Sequence, residues 1–433
     1  MQPRTTFASA TWFFLPLIFT AELMFISHSV IQAFLARLEG ATVTLAAFSI
    51  AFIFHGTLGS PVWAGMQYSL SYVADRRSLA RLLWFHFQVA VLPTAVMLFV
   101  AFSAFGDWVF QGMLGASAET SGEAREAMFY FILVFYVVPF RNISSAILML
   151  RRRTFLITLG TAVRLASLAG FLYVLPFWVE GASIGSLALF LCIATESVFD
   201  TLMAAGLYRS LPVSQEPPPS YWEMWRFSWP LMVNQAAESS VFLFINFFLG
   251  RLARPDLALA AFGVMRGIVM LLLSPLRNLV QTAQALTRTA EDLRVVLWFS
   301  LGVISFFSLV VLVLFLSPGR DWVLYPVMGL SRELGGYIAP WLPLSFFLGL
   351  FWGSSSVFRG LVIAARRTGG LTRSAALRVT LVIAVGSWAL AFPEVNGALL
   401  GMIAVIAAFA AEAAVLGRQL FRGKKSAPHF PAA

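Results

Sequence analysis

The chain has 433 residues, of which 59% are hydrophobic and 12% are charged, and its mean hydropathy is +0.83. An ordinary soluble domain carries about 25% charged residues, so the composition excludes a soluble protein and indicates a polytopic membrane protein. The net charge of +10 is carried mostly by short turns between apolar stretches, so we interpret it as a topology signal and expect no nucleic-acid partner.

Apolar stretches recur along the chain, each with about the 20 residues that a helix needs to cross the hydrocarbon core. Twelve are predicted, at residues 9–34, 43–72, 81–104, 127–149, 155–177, 182–208, 225–249, 257–285, 294–317, 338–364, 372–392 and 396–420. The first is long and lacks a small-residue cleavage site, so we expect no cleavable signal peptide. The predicted fold class is an all-α polytopic membrane protein with twelve transmembrane helices.

The second half of the chain repeats the first. Pro16 recurs as Pro230, and the same constant spacing of 214 relates these further pairs: Leu45-Ala46-Ala47-Phe48 with Leu259-Ala260-Ala261-Phe262, Ser60-Pro61 with Ser274-Pro275, and Arg152-Arg153-Thr154 with Arg366-Arg367-Thr368. Near the end of each repeat the spacing becomes 216, as for Gly185 and Gly401. Six helices per repeat return the chain to its starting side, so the two lobes should share one orientation and a pseudo-twofold axis along the membrane normal.

Arginine placement predicts the orientation of the chain. The turns on the side of the termini hold more basic residues than the opposite turns, so both termini should be cytoplasmic in the plasma (inner) membrane. This basic set includes Arg76, Arg77, Arg81, Arg151, Arg288, Arg294, Arg373, Arg418, Arg422, Lys424 and Lys425. The predicted domains are a six-helix lobe at 1–213, a Pro-rich cytoplasmic linker at 214–221, and a second six-helix lobe at 222–433.

Several short motifs resemble those of a known family. They are Phe227-Ser228-Trp229-Pro230-Leu231 with Asn246 and Arg251, Leu45-Ala46 with Pro61, Arg76-Arg77, Leu377-Arg378, and Gly397-Ala398 with Gly401 and Glu412. In these motifs the chain resembles the progressive ankylosis family, which belongs to the multidrug/oligosaccharidyl-lipid/polysaccharide (MOP) superfamily of MATE-like transporters. The resemblance implies twelve helices in two six-helix lobes. It also implies export of small polyanions such as citrate, pyrophosphate or nucleotides.

Buried charges at membrane depth recur in both repeats. Arg164 and Glu196 lie at similar depths on helices five and six, and Arg378 and Glu412 are their counterparts. A central charge costs roughly 2.5–3.5 kcal/mol to insert into a membrane, so such residues are either paired or placed along a path. We predict one structural ion pair in each lobe, because the duplication kept both partners.

Other polar residues are not shared between the repeats. Gln235, Glu238 and Asn246 fall within an arc of about 80° on helix seven, and helix one carries Glu22 and Gln32. We predict that Glu22 and Glu238 couple transport to a proton or a sodium ion, and that Gln32 and Asn246 contact substrate. The alternative is that these residues form hydrogen bonds between helices.

Two arginines indicate selectivity for anions. Arg266 lies deep in helix eight, where its repeat counterpart is Phe52, and Arg141 precedes Asn142 on helix four. A guanidinium holds carboxylate or phosphate through two parallel hydrogen bonds, so Arg266, Arg141 and Asn142 are predicted to bind substrate. The alternative for Arg266 is an ion pair with Glu238.

Prolines and histidines complete the set of candidate residues. Pro61 and Pro275 should interrupt helices two and eight in both repeats and act as gating points. His28 and His55 could relay protons, although a structural role is the more frequent one for a single histidine. The four histidines lack metal-ligand spacing, and no nucleotide-binding loop is present. We therefore expect no cofactor and no metal.

Three functions remain open from the sequence. The first is a secondary transporter that would export small polyanions by alternating access, with its site among helices one, two, seven and eight. No catalytic arrangement is visible in the sequence, so we expect that the protein is not an enzyme. The second is a cation-coupled multidrug antiporter. The third is a lipid-linked glycan flippase or a membrane-embedded glycosyltransferase. The expected partners are a small anionic substrate, a coupling ion and membrane lipid, and a monomer is expected.

Overall fold

The computed structural model of the protein describes residues 4–113, 116–213 and 217–421. Within these ranges the chain forms helices and no strand. The helices are α1 (Phe7–Leu35), α2 (Ala41–Leu58), α3 (Ser60–Trp63), α4 (Gly65–Tyr72), α5 (Arg76–Phe102), α6 (Ala104–Asp107), α7 (Ala118–Leu150), α8 (Thr154–Val174), α9 (Ala182–Arg209), α10 (Tyr221–Leu249), α11 (Pro255–Leu273), α12 (Leu279–Leu286), α13 (Ala290–Leu316), α14 (Gly319–Trp322), α15 (Arg332–Ile338), α16 (Ser345–Ala364), α17 (Gly369–Ala389) and α18 (Gly397–Phe421). The start of the predicted linker, residues 214–216, and the basic tail from Arg422 lie outside the described residues.

Eleven stretches of the described chain are long and apolar enough to cross a membrane. They correspond to the predicted helices one to ten and twelve. The eleventh predicted helix is present as α17, which has 21 residues and carries Arg373 and Arg378. The all-α fold with six membrane helices in each repeat is therefore confirmed.

The helices pack into two compact units, each with its own core. One unit comprises residues 15–235, and the other joins residues 4–14 to residues 236–421. The boundaries fall inside α1 and α10, so each of these helices contributes residues to both units. The lobe limits at residues 213 and 222 stay a prediction from the repeat.

Each unit has one central helix. In the first unit α7 packs against α2, α5 and α9, and in the second α16 packs against α12, α13 and α18. These two helices occupy equivalent positions in the two repeats. Both are among the most buried of the membrane-spanning stretches, so a charged side chain on either of them must find its partner inside the unit.

Proline interrupts the second helix of each repeat. In the first repeat the helix is divided into α2, α3 and α4 around Pro61, and in the second a 3₁₀ turn at Ser274–Asn278 separates α11 from α12. Proline lacks an N–H and clashes with the preceding turn, which explains both breaks. The predicted interruptions are present, and the gating role of Pro61 and Pro275 stays a prediction.

Two glycines kept by the repeat allow close approach between helices. A Cβ on Gly185 would lie 2.8 Å from the ring of Phe48, and a Cβ on Gly401 would lie 2.3 Å from the ring of Phe262. Both distances are shorter than side chains tolerate. The sixth helix of each repeat therefore packs against the second through one glycine and one phenylalanine.

The basic turns after the central helices also share a backbone conformation. Arg152 and Arg366, which are repeat counterparts, have φ values of 57° and 53°. Each ends its helix with an equivalent hydrogen bond, from Arg152 N to Met149 O in one repeat and from Arg366 N to Ile363 O in the other. The left-handed conformation is a common way to end a helix, so the repeat extends to the backbone.

Candidate functional site

Four charged residues inside the first unit form what we call the N-terminal charge cluster: Arg141 on α7, Arg164 on α8, and Glu196 and Asp200 on α9. Oε2 of Glu196 lies 3.3 Å from Nη1 of Arg141 and 3.5 Å from Nη1 of Arg164. Thr161 donates a hydrogen bond to the other carboxylate oxygen at 2.8 Å. The structure thus brings together the predicted pair of Arg164 and Glu196 and adds Arg141 to it.

Asp200 lies one helical turn beyond Glu196 and is fully buried. Ser145 on α7 donates a hydrogen bond to Oδ2 of Asp200 at 2.9 Å. A Cβ on Gly160 would lie 2.2 Å from Oδ1, so glycine is what lets α8 approach this carboxylate. Among the described side chains no arginine lies within ion-pair distance of Asp200, so the ion pairs of this cluster are those of Glu196 with Arg141 and Arg164.

The second unit contains a C-terminal charge cluster of Glu238 on α10, Arg359 on α16, Arg378 on α17 and Glu412 on α18. Arg359 bridges the two carboxylates, with Nη1 2.7 Å from Glu238 and Nη2 3.0 Å from Glu412. Arg378 forms an ion pair with Glu412 and lies 3.7 Å from Glu238. Arg378 and Glu412 are fully buried, whereas the Glu238 side chain is 13% exposed.

On the central helices the two clusters differ by an exchange of two residues, and Glu238 and Asp200 correspond to Met24 and Leu416. At the spacing of the repeat, Arg141 and Ser145 on α7 correspond to Ser355 and Arg359 on α16. The second arginine has therefore moved by one helical turn and changed places with a serine. Each serine still bonds an acid of its own cluster: Ser145 bonds Asp200, and Ser355 donates to Glu412 at 3.1 Å.

Arg359 and Asp200 were missed by the sequence analysis. Neither has a counterpart of the same type, since their equivalents are Ser145 and Leu416. The sequence does contain a signal for Arg359: it is an arginine at membrane depth, one helical turn from Ser355, the counterpart of Arg141. A search for charges that are displaced within the repeat, and not only kept in it, would have identified the exchange.

Arg266 does not lie beside Glu238, as the alternative of an ion pair between these two residues required. Its guanidinium carbon lies 3.7 Å from the ring centroid of Phe242 on α10. An ion pair between Arg266 and Glu238 is wrong, because the partners of Glu238 are Arg359 and Arg378. Arg266 is exposed, and no carboxylate among the described side chains lies within ion-pair distance of it.

The predicted polar arc on α10 divides in the structure. Gln235 is buried and Glu238 belongs to the charge cluster, whereas Asn246 is exposed one turn beyond Phe242. On α1, Glu22 is half-buried and Gln32 is exposed. Asn246 therefore follows, on the same helix, the ring that supports Arg266, while the roles of Glu22 and Gln32 stay predictions.

Asn142 is buried, unlike its neighbour Arg141. Its side chain packs so closely on α4 that a Cβ on Gly65 would lie 2.4 Å from Nδ2 of Asn142. The same Cβ would lie 2.7 Å from the ring of His86, which is held by the hydroxyls of Tyr68 at 3.0 Å and Ser69 at 2.8 Å. Asn142 thus lies in a packed contact between helices α4, α5 and α7.

The two histidines considered for proton relay lie near one another around Phe52. His55 is buried between the rings of Phe131 and Phe135, at centroid distances of 4.8 and 5.0 Å. The ring of His28 lies 4.8 Å from that of Phe52. In the described residues Nδ1 of each histidine lacks a hydrogen-bond partner. This aromatic packing supports the structural interpretation of His55.

No family model and no curated protein sequence matches this chain. Solved structures do match it along nearly its whole length. A eukaryotic MATE transporter superimposes with a TM-score of 0.77, at 13% identity, over 98% of this chain and 96% of that one. A MOP superfamily transporter from Pyrococcus furiosus gives 0.74, at 15% identity, over 98% of each chain. A multidrug resistance MATE family transporter in an outward-facing conformation gives 0.67, at 14% identity, over 96% of each chain.

The chain has the MATE fold. All three similar structures belong to transporters of the MATE or MOP type, so the predicted superfamily fold is confirmed. At this level of identity the likeness shows the fold alone. The progressive ankylosis resemblance and the substrate class stay predictions.

Proposed function

We propose that the protein is a secondary transporter that exports small polyanions, of the citrate, pyrophosphate or nucleotide class, by alternating access. The fold shared with MATE and MOP transporters supports transport, and the resemblance to the progressive ankylosis family supports the anionic substrate. The observation that carries the proposal is the exposed residue Arg266, whose guanidinium lies on an aromatic ring and within ion-pair distance of no described carboxylate.

The depth of Arg266 in the membrane indicates what its exposed side chain faces. Arg266 lies far inside α11, which begins at Pro255, and the helix rises about 17 Å between the two residues at 1.5 Å per residue. Charged residues so deep in a membrane protein almost always face the interior of the bundle or a water-filled path. An exposed Arg266 therefore favours a hydrated path over contact with hydrocarbon.

The space around Arg266 suits an anion with two or more oxygens. Gly263 and Gly267 flank it on α11, and a Cβ on either would meet no atom within 4 Å. The face of Phe242 orients the guanidinium, and Asn246 adds an amide on the same helix as that ring. A carboxylate or phosphate would accept two parallel hydrogen bonds from Arg266.

The N-terminal charge cluster offers a second guanidinium with solvent access. Arg141 is held by Glu196 at 3.3 Å, yet its side chain keeps 17% exposure, whereas Arg164 keeps 1%. We propose that Arg141 contributes to anion binding while Arg164 maintains the cluster. Glu22 and Glu238 are the proposed coupling groups for a proton or a sodium ion.

A multidrug antiporter is the competing function. One of the similar structures is that of a multidrug resistance transporter, and Glu22 is an acid of the kind that a cationic drug would require. In the MOP superfamily transporter from Pyrococcus furiosus the binding pocket has reverse polarity, which suggests a different function for that protein. Pocket polarity therefore differs among proteins with this fold, and the charge of Arg266 favours anions here.

Transport by purified protein in liposomes distinguishes the two functions. We expect efflux of radiolabelled citrate or pyrophosphate, and none of a cationic dye such as ethidium. Arg266→Gln should reduce anion efflux by at least about thirty-fold, because loss of one partner of a charged pair costs about 2–5 kcal/mol. Arg226→Gln, at an exposed arginine near the start of α10, is the control and should retain efflux. Dye transport without anion efflux would refute the proposal.

A further inference from the structure

An open groove of about 590 Å³ lies in the second unit, between α13, α16 and the end of α18. Its walls are mainly apolar, with Leu293, Leu297 and Ile304 along α13. Three polar residues interrupt this surface: Arg294 and Ser300 on α13, and Ser354 on α16. The groove follows α13 from Ala290 to Ile304, which is about 21 Å at 1.5 Å per residue.

Four residues of the groove lining differ from their counterparts in the first repeat. The counterparts in the first repeat are His86 for Ser300, Phe87 for Leu301, Phe140 for Ser354 and Ala80 for Arg294. In the first unit the rings of Phe87 and Phe140 lie 6.1 Å apart. At these four positions the second repeat has three fewer rings and one more cation, whereas Phe358 of the same lining is a ring whose counterpart is Ser144.

Two features show that the groove is adapted to a polar ligand as well as to hydrocarbon. Arg294 is exposed near the start of α13, where the side chain of a helical residue points toward the helix N-terminus. Ser300 is 1% exposed, and its hydroxyl has no hydrogen-bond partner among the described residues. A buried hydroxyl without a partner costs about 1–3 kcal/mol, so a ligand acceptor at this point would stabilise it.

We propose that this groove binds one anionic glycerophospholipid. Its phosphate pairs with Arg294, an ester carbonyl accepts the Ser300 hydrogen bond, and one acyl chain lies along the apolar wall. The groove lies within membrane-spanning segments, where lipid is the surrounding solvent, and exposed Trp298 lines it, as tryptophan often does at the membrane interface. This site is separate from Arg266, so the inference does not depend on the proposed substrate.

Native mass spectrometry of the full-length protein, extracted from liposomes of mixed composition, tests the proposal. With equal amounts of phosphatidylglycerol and phosphatidylcholine, one phosphatidylglycerol per protein should remain bound. Ser354→Phe, which restores the ring of the first repeat, should abolish its retention. Arg294→Ala, which restores the first repeat's alanine, should lower the preference for phosphatidylglycerol about fivefold, since one basic residue contributes about 1 kcal/mol at an anionic surface.

Controls separate a specific site from general lipid adhesion and from misfolding. Arg77→Ala removes an exposed arginine at the start of α5 in the other unit and should leave retention unchanged. The Ser354→Phe protein must elute as a single species with the thermal stability of the wild type, and Ser300→Ala gives an independent variant that should weaken retention. Equal retention of both lipids by the wild type, or undiminished retention by the folded Ser354→Phe protein, would overturn the proposal. So would crosslinks showing that a second copy of the chain covers the groove.

Discussion

Replacing Arg359 by glutamine tests whether charge balance holds the C-terminal charge cluster together. Arg359 lies between Glu238 and Glu412, with nitrogen–oxygen distances of 2.7 and 3.0 Å, and its side chain is 6% exposed. Glutamine keeps hydrogen-bonding capacity but removes the charge. Arg378 must then balance two carboxylates alone, and one of them is left without a counter-ion in buried surroundings.

The expected loss follows from this burial. Removing one partner of a buried ion pair costs about 3–5 kcal/mol. For a domain of about 150–250 residues each kcal/mol shifts the melting temperature by about 2–4 °C, so Arg359→Gln should lower it by roughly 6–20 °C. Adding Glu238→Gln restores the balance between Arg378 and Glu412. The double variant should therefore be more stable than the sum of the two single losses, by about 0.5–3 kcal/mol.

Thermal unfolding in detergent, followed by tryptophan fluorescence at one heating rate, measures these differences. Arg141→Gln is the matched comparison in the N-terminal charge cluster. The Arg141 side chain is 17% exposed, so water can solvate part of what remains, and a smaller loss is expected. An unchanged melting temperature for Arg359→Gln, or strictly additive losses in the double variant, would refute the charge-balance argument.

Three further changes test the packing, the pairing and the gating. Gly160→Ala should destabilise the protein by about 1–3 kcal/mol, because its Cβ would lie 2.2 Å from Oδ1 of Asp200. Gly170→Ala on the same helix is the control: its Cβ would meet nothing within 4 Å, so the change should be neutral or stabilising by about 0.5–1 kcal/mol. Melting temperatures that fall equally in both would contradict this packing. Arg164→Gln and Glu196→Gln should each lower the yield of folded protein on size-exclusion chromatography, and the double variant should lose less than both together, whereas additive losses argue against the pair. Pro275→Ala should permit a continuous helix and slow transport in liposomes at unchanged thermal stability; wild-type flux would argue against gating at this break.

The sequence by itself determined the membrane-spanning helices, their grouping into two repeats, and the breaks at Pro61 and Pro275. These features depend on local or periodic information. Hydrocarbon thickness sets the length of a helix, proline interrupts the chain where it occurs, and the constant spacing between the repeats is visible without any structure. The pairing of Arg164 with Glu196 was predictable for the same reason, since the repeat kept both members and their depths agree.

Only the tertiary structure decided which helix faces meet. Glu238 contacts Arg359 and Arg378, whereas the sequence offered Arg266 on the neighbouring helix as an alternative partner. Depth along a helix follows from residue number, but the rotation of each helix about its own axis depends on packing against several neighbours at once. Two charges at equal depth can therefore lie on the same or on opposite faces of a bundle. The exposure of Arg266 beside Phe242, and the exchange of arginine and serine between the two clusters, follow from that packing.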